Sequence, residues 1–233
     1  MKTILLPTDF SSNSVNAIHY AVNLFKDESC HFHLLNIQKA SSFLSDNLMT
    51  MQSSTTIYKT LVDVSKRSLK NIINAIKTKY NNRLHEFSAV VDYDNFVDAV
   101  NQMVDKENVD LIIMGTKGAS NVEKVIFGSN TVRVMQRCNT PVLAIPYGCK
   151  YKKIDKIAFT SNYSTQYKKS ELETLIDIAN KNNSKIDVLH LETEEYLSRK
   201  QVNNRSFLDE CFKKVPHEFI DLENADIFNT VQH

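Results

Sequence analysis

Only four glycines occur in the 233 residues, and three of them crowd into one fourteen-residue window: Gly115, Gly118 and Gly128. Ahead of the window lies a short apolar run, Val-Asp-Leu-Ile-Ile-Met at 109–114. Such a run has the length and composition of a strand buried on both faces of a parallel sheet. Gly115 and Gly118 sit in the turn leaving that strand. Gly128 is followed by Ser129 and Asn130, then by Val132, Val134 and Met135, the start of an apolar helical stripe. Residues 140–146, Thr-Pro-Val-Leu-Ala-Ile-Pro, give a second buried-strand signal. The order is strand, glycine turn, long loop, helix, strand.

The physical expectation for this unit is a phosphate cradle. Glycine permits positive φ and lets a ligand approach where a Cβ would stand. The first turn of a helix offers free N–H groups and the positive end of the dipole to an anion. Ser129 adds a hydroxyl donor and is placed to cap the helix. Ligands of open α/β sheets bind outside the carboxyl ends of the strands, where the winding reverses. The alternative is that the glycines only permit two tight turns.

The rest of the first 147 residues alternates strands with helices. Residues 3–8 read as a buried strand ending at Pro7-Thr8-Asp9, with Ser11 or Ser12 capping a helix whose apolar face is Ala17, Ile18, Ala21, Val22 and Phe25. His31 to Ile37 is a second strand, on which His31 and His33 share a face as a surface pair lacking a third metal ligand. From Gln38 to Thr56 the chain is polar, with scattered Phe, Leu and Met. It is either a surface connection or a flap and partner contact. A long helix carries Leu61, Val64, Leu69, Ile72, Ile73, Ile76 and Tyr80. Phe87 to Val91 follows as a third strand, and a helix from Asp94 or Asn95 leads into the glycine unit. Strand–helix alternation implies βαβ crossovers and a doubly wound parallel sheet.

Two stretches together carry a resemblance. Gly115-x2-Gly118-x9-Gly128-Ser129, between an apolar strand and a Pro-Val-Leu strand, resembles the nucleotide-binding signature of the universal stress protein family. Residues 3–11, Thr-Ile-Leu-Leu-Pro-Thr-Asp-Phe-Ser, resemble that family's first strand and its acidic end. The resemblance covers about the first 146 residues. It implies an α/β fold of the adenine-nucleotide α-hydrolase-like type, a doubly wound, mostly parallel five-stranded sheet, and an adenine nucleotide, ATP, as ligand. Carried over by position, Pro7, Thr8 and Asp9 would line the adenosine side of the cleft. Asp9 would meet a ribose hydroxyl or a Mg ion on the phosphates, and otherwise would cap the first helix. Ile37 would meet adenine through its backbone. Met114 and Gly115 would pass under ribose and phosphates, and Gly118, Gly128, Ser129 and Asn130 would hold the phosphates, with Lys117 in reach. The edge strand Val142 to Ile145 would pair with its counterpart, which implies a homodimer.

After Pro146 the chain starts again. Residues 156–164 parallel 3–11, a helix at 171–180 follows, and Leu189-His190-Leu191 parallels Leu35-Asn36-Ile37. His217-Glu218-Phe219 parallels His85-Glu86-Phe87, and Asp226-Ile227-Phe228 parallels Asp94-Asn95-Phe96. This implies two domains: residues 1–147, and a second, incomplete copy over 154–233 joined by a linker of Gly148 and Lys150 to Lys153. The second copy has Thr160-Ser161-Asn162 where the first has Pro7-Thr8-Asp9, so it lacks the carboxylate. It also lacks the glycine loop. The expectation is either a shortened version of a longer chain or a domain completed by another chain.

Composition excludes several classes. The net charge of +1 is well mixed and gives no electrostatic reason for a nucleic-acid or membrane partner. No apolar run reaches membrane length and residues 1–9 lack a secretory layout. Cys30, Cys138, Cys149 and Cys211 show no CxxC spacing and read as reduced thiols of a cytoplasmic protein. P-loop, GxSxG and HExxH patterns are absent, so no catalytic residue is assigned. The expectation is an ATP-binding stress-response regulator and not an enzyme, with only slow incidental ATP hydrolysis. Nucleotide occupancy would reshape the loop between Gly118 and Gly128, and the 38–56 segment, for an unknown protein partner. The alternatives are an adenine-nucleotide hydrolase and an interaction module with an empty cleft.

Overall fold

The computed structural model describes residues 1–38, 51–116, 127–191 and 196–222. They divide into two compact units, Met1–Tyr151 and Lys152–His233.

The first unit alternates strands and helices: β1 (Lys2–Pro7), α1 (Ser12–Leu24), β2 (Cys30–Ile37), α2 (Met51–Tyr80), β3 (His85–Asp92), α3 (Phe96–Glu107), β4 (Leu111–Gly115), α4 (Ser129–Arg137) and β5 (Val142–Ile145). The strands form one fully parallel sheet in the order β3-β2-β1-β4-β5. The winding therefore reverses at β1, which pairs with β2 on one side and β4 on the other. This is a five-stranded, doubly wound α/β fold.

Successive strand residues point to opposite faces. Leu5, Leu35, Ile112 and Met114 pack against Val100 and Met103 of α3 and Val134 of α4. Ile4, Leu6, Phe32 and Leu34 alternate with them and are fully buried, as are Ile18 and Ala21 of α1. Burial on both faces explains the unbroken apolar runs of β1 and β4.

Local signals set several ends. Ser11 caps α1, its hydroxyl accepting the Ser14 N–H, and Asn95 caps α3 by accepting from the Val97 N–H. Asn108 ends α3 in the left-handed region. Two expectations differ from the structure. α2 begins at Met51, inside the polar stretch read as a surface connection or a flap. Its first residues, Met-Gln-Ser-Ser-Thr-Thr, carry no apolar stripe, but elongating an existing helix is far easier than starting one. His31 and His33 are not a surface pair: His33 is 4% exposed. Their ring centres lie 4.1 Å apart with the planes tilted by 34°, His31 Nε2 lies 2.6 Å from the Ser88 hydroxyl, and His33 Nε2 lies 3.9 Å from a Glu107 carboxylate oxygen.

The second unit holds β6 (Lys156–Thr160), α5 (Lys169–Asn182), β7 (Lys185–Leu191), α6 (Arg199–Phe212) and β8 (His217–Leu222), its strands parallel in the order β6-β7-β8. Tyr163, Leu172, Val188, Leu208 and Phe212 form its core. Sequence reading missed α6, although Ser198 and Gln201 form a capping box at its start. The charged, weakly amphipathic stretch after that cap hid the helix.

The turn after β6 repeats two backbone-donor bonds and one backbone conformation of the turn after β1. Thr8 N–H donates to Leu35 O (2.8 Å) and Ser161 N–H to Leu189 O (3.0 Å). Phe10 N–H donates to the Thr8 hydroxyl (3.1 Å) and Tyr163 N–H to the Ser161 hydroxyl (3.0 Å). Both aromatic residues take positive φ, 65° at Phe10 and 57° at Tyr163. A bulky side chain there is a backbone outlier, so its occurrence at matching places is specific. With Leu35 matched to Leu189, Leu34 pairs with Ala89 in the first unit and Val188 pairs with Phe219 in the second. Phe219 therefore stands where Ala89 does. The sequence match of His217-Glu218-Phe219 to His85-Glu86-Phe87 is two residues out of register; an even offset keeps the same face, so apolar patterning cannot detect it. The match at Asp226-Ile227-Phe228 lies outside the described residues.

The histidines are tuned in opposite directions. Burial pulls His217 down, but its bond to the Asp209 carboxylate (3.0 Å) and the Val215 carbonyl outweigh this and leave its pKa raised above 6.5. Burial lowers His19 and His33 below 6.5, with Lys79 adding to the effect at His19 and His31 at His33. Stabilisation from protonated His217 is thus fully present below its unfolded value and is lost as pH rises through the folded one. A proton NMR titration is expected to show His217 losing its proton at higher pH than His19 and His33. The reverse order would contradict the Asp209 pairing.

Candidate functional site at the carboxyl ends of β1 and β4

The end of β1 is tied on three sides. The buried Thr8 gives its N–H to Leu35 of β2, and its carbonyl accepts from Asn36 Nδ2 at 2.7 Å. Its hydroxyl pairs with that of Ser14, in the first turn of α1, at 2.9 Å. Asn36 in turn accepts from Gln38 Nε2 (2.6 Å), which also reaches the Ser65 hydroxyl of α2 at 3.0 Å. Asp9 is exposed, with Oδ1 accepting from the Ser11 N–H (3.1 Å) and hydroxyl (2.6 Å). It closes an Asx-type turn and does not itself cap α1, the role taken by Ser11.

The end of β4 lies beside it. Neither Gly115 nor Gly128 takes positive φ; among the described glycines only Gly148 does, at 71°. What Gly115 supplies is space: a Cβ there would stand 2.5 Å from Asn13 Nδ2 and 3.2 Å from the Asn13 carbonyl. Its missing side chain lets the first turn of α1 sit against β4. The Gly115 carbonyl accepts from the buried Thr131 hydroxyl of α4 at 3.0 Å. Thr116 N–H donates to Ile145 O of β5 (2.9 Å), and Thr116 O accepts from Gly128 N–H (2.5 Å). These bonds fix the start of α4 to the strand end.

Gly128 is the N-cap of α4, with φ −66° and ψ 153° and no side-chain capping bond. Ser129 is therefore not the cap but the first residue of the helix, and both it and Asn130 are exposed. No acidic residue occupies the first turn. Because the Gly128 N–H is engaged by Thr116, the donors left for an anion are those of the following first-turn residues and the Ser129 hydroxyl.

The expected positions thus fall into three groups. Thr8, Asp9, Gly115, Gly128, Ser129 and Asn130 surround the reversal point of the sheet. Pro7 and Met114 are buried, Met114 within the apolar core and Ile37 packed against it, so Met114 can serve a ligand only through its backbone. Lys117 and Gly118, like much of the 38–56 segment, lie outside the described residues. Asn13, Ser14, Asn36, Thr116 and Thr131 hold the site together and were missed. Asn36 carried a signal, being the one amide in the run Phe-His-Leu-Leu-Asn-Ile. Replacing it, Asn36→Leu, strands the Thr8 carbonyl and is expected to lower stability by about 1–3 kcal/mol in chemical denaturation. A loss below about 0.5 kcal/mol would show that the bond is dispensable.

No cluster of three or more His, Cys, Asp or Glu side chains poised for a metal ion occurs among the described residues. No helix among them is long and apolar enough to cross a membrane.

A parallel sheet that reverses at β1, with a carboxylate on one side of the reversal and a helix N-terminus fixed on the other, defines a doubly wound α/β domain with a candidate site at its strand ends. The model of the universal stress protein family matches residues 1–146, and the chain belongs to that family. Among curated relatives it is 27% identical over 145 residues to universal stress protein MJ0531 of Methanocaldococcus jannaschii, covering 62% of this chain and 81% of that protein. It is 26% identical over 157 residues to universal stress protein MJ0577 of the same organism, covering 62% and 94%. The solved structure of MJ0577 superposes with TM-score 0.53 at 24% identity over 64% of this chain and 98% of its own. A universal stress protein from Archaeoglobus fulgidus superposes over 96% of this chain and 79% of its own, with TM-score 0.67 at 17% identity.

Proposed function

We propose that the first unit binds an adenine nucleotide, ATP foremost, and that the protein is a nucleotide-dependent stress-response regulator acting through protein contacts and not an enzyme. The observation that carries this is the hydrogen-bonded fixing of Gly115, Thr116, Gly128 and Thr131, which sets the start of α4 against the strand ends beside exposed Asp9. A preformed helix N-terminus without an acidic residue suits phosphate. Ser129 and Asn130 would face the phosphates, together with Lys117 and Gly118 of the adjoining loop. Asp9, already held by Ser11 as an acceptor, would take a ribose hydroxyl, or a Mg ion carried on the phosphates. Adenine would lie against the backbone at Ile37. The nucleotide supplies a polyanion whose presence or absence a partner can read; the chain's own groups bind and orient it.

The residues support binding better than turnover. Asp9 is the one carboxylate among these positions, and the first turn of α4 holds no acidic residue to act as a general base. The second unit is, in this reading, a partial repeat that keeps the strand-end turn without the ligand groups. Asn162 replaces the carboxylate, and His190 Nδ1–H donates to Ser161 O (3.1 Å) where Asn36 serves Thr8. Tyr163, fully buried, stacks on His190 at 4.4 Å and fills the turn. The test is acid extraction of the purified protein, identification of released nucleotide, and equilibrium binding of added ATP. Absence of both would refute the reading.

A further inference from the structure

At the carboxyl end of β2 the side chains of Asn36 and Gln38, two residues apart, leave the strand on the same face. Asn36 Nδ2 donates to the Thr8 carbonyl at 2.7 Å. A carbonyl only accepts, so this bond orients the Asn36 amide and leaves Oδ1 as its acceptor. Gln38 Nε2 in turn donates to Asn36 Oδ1 at 2.6 Å and reaches the Ser65 hydroxyl of α2 at 3.0 Å. Both holding residues are buried, Asn36 2% and Ser65 4% exposed. The Gln38 amide is therefore held by its nitrogen and presents its oxygen the other way. Gln38 is half-buried, and its Oε1 has no hydrogen-bond partner among the described residues yet is not sealed from solvent.

The adjoining backbone offers a second acceptor. Leu35 O accepts from Thr8 N–H on the β1 side of the strand, whereas Gln38 N–H donates to Asp92 O on the β3 side. Successive residues of a strand turn their polar groups to opposite neighbours, so the Ile37 carbonyl turns the same way as that of Leu35. Pro7, the last residue of β1, pairs with Leu35, so Ile37 faces past the end of that strand, where the sheet reverses. The orientation of Gln38 is also locked. Turning its amide over would bring Oε1 against Asn36 Oδ1, one acceptor on another.

We propose that Gln38 selects the base: its Oε1 accepts a hydrogen bond from the exocyclic amine of adenine and turns away 6-oxo purines. This rests on the reading of the first unit as a nucleotide site and adds the residue that chooses the purine. A C6 amine has two hydrogens, one for Gln38 Oε1 and one for the Ile37 carbonyl. A C6 oxygen would face an acceptor that cannot turn over to donate. Sites built to bond a donor discriminate strongly against an analogue lacking it, because their own polar group is left unpaired. Ser65 is a positioning residue, acting only through its hold on Gln38 Nε2.

The experiment measures equilibrium binding of ATP and of inosine triphosphate, which carries oxygen at C6, to the full chain. The wild type is expected to bind ATP at least about tenfold more tightly than inosine triphosphate. Gln38→Met keeps the length of the side chain and removes the acceptor; it is expected to weaken ATP about tenfold, leave inosine triphosphate unchanged and so erase the preference. Ser65→Ala frees Gln38 Nε2 on one side without touching the ligand and is expected to narrow the preference by a smaller factor. Both nucleotides are read on one preparation, so partial unfolding of a variant lowers the bound fraction of each and leaves the ratio of their affinities intact. A wild type that binds neither nucleotide overturns the nucleotide reading and this assignment with it. ATP bound with no preference over inosine triphosphate, or with the same preference in wild type and Gln38→Met, overturns the assignment alone. Should Gln38→Met fail to fold, an unchanged preference in Ser65→Ala overturns it.

Discussion

A Gly118→Val, Gly128→Val variant is expected to fold and to bind ATP at least about 100-fold more weakly than the wild type, a loss of about 2.7 kcal/mol. The geometry of Gly128 separates the two effects. Its φ of −66° and ψ of 153° are extended values that any residue adopts, and its N–H bond to Thr116 O does not involve a side chain. Valine at the cap therefore costs little in the backbone. It does place a branched Cβ beside exposed Ser129 and Asn130, where a phosphate would approach the first turn of α4. The wild type should release nucleotide into acid, the variant none, with closely similar unfolding midpoints. Nucleotide retained by the variant would place the site elsewhere on the chain. A variant that loses nucleotide only because it unfolds would show itself in the midpoint.

The architecture was legible because the central strands β1 and β4 are buried on both faces, which leaves unbroken apolar runs there, while glycines and caps mark the turns between. The site's outline followed from the same source: strand ends are where apolar runs stop, so Thr8, Asp9, Gly115 and the Gly128-Ser129-Asn130 stretch could be placed without coordinates. What could not be read were the contacts that converge from distant parts of the chain. Asn36 reaching Thr8, and Thr131 reaching Gly115, depend on which strands become neighbours, and local patterning does not record that. The burial of His33 has the same origin, since Glu107 and Ser88 come to it from other elements. The extra turns at the start of α2 and the whole of α6 escaped because helices with little apolar periodicity rest on neighbours and caps more than on pattern. The reason for a glycine at 115 escaped too: positive φ and ligand access were the expected causes, and the structure supplies a third.

That third cause predicts a stability effect of its own. Gly115→Ala is expected to destabilise the first unit by about 1–3 kcal/mol, the usual cost of overpacking a filled interior. The φ at Gly115 is not positive, so alanine brings no backbone strain and the whole effect is steric. The new Cβ would stand 2.5 Å from Asn13 Nδ2 and 2.9 Å from its Cγ, and Asn13 is only 2% exposed, with little room to move. Asn13→Ala removes both atoms and leaves the backbone carbonyl at 3.2 Å, a contact that a few tenths of an ångström relieve. The double variant should therefore be more stable than the sum of the single losses by about 0.5–3 kcal/mol. Measured by denaturant unfolding, an additive cycle would mean that the clash is absorbed elsewhere. The same three proteins also separate packing from binding. If the double variant still yields nucleotide on acid extraction, glycine at 115 is there to admit α1. If it folds but carries none, the bare backbone of Gly115 belongs to the ligand as well.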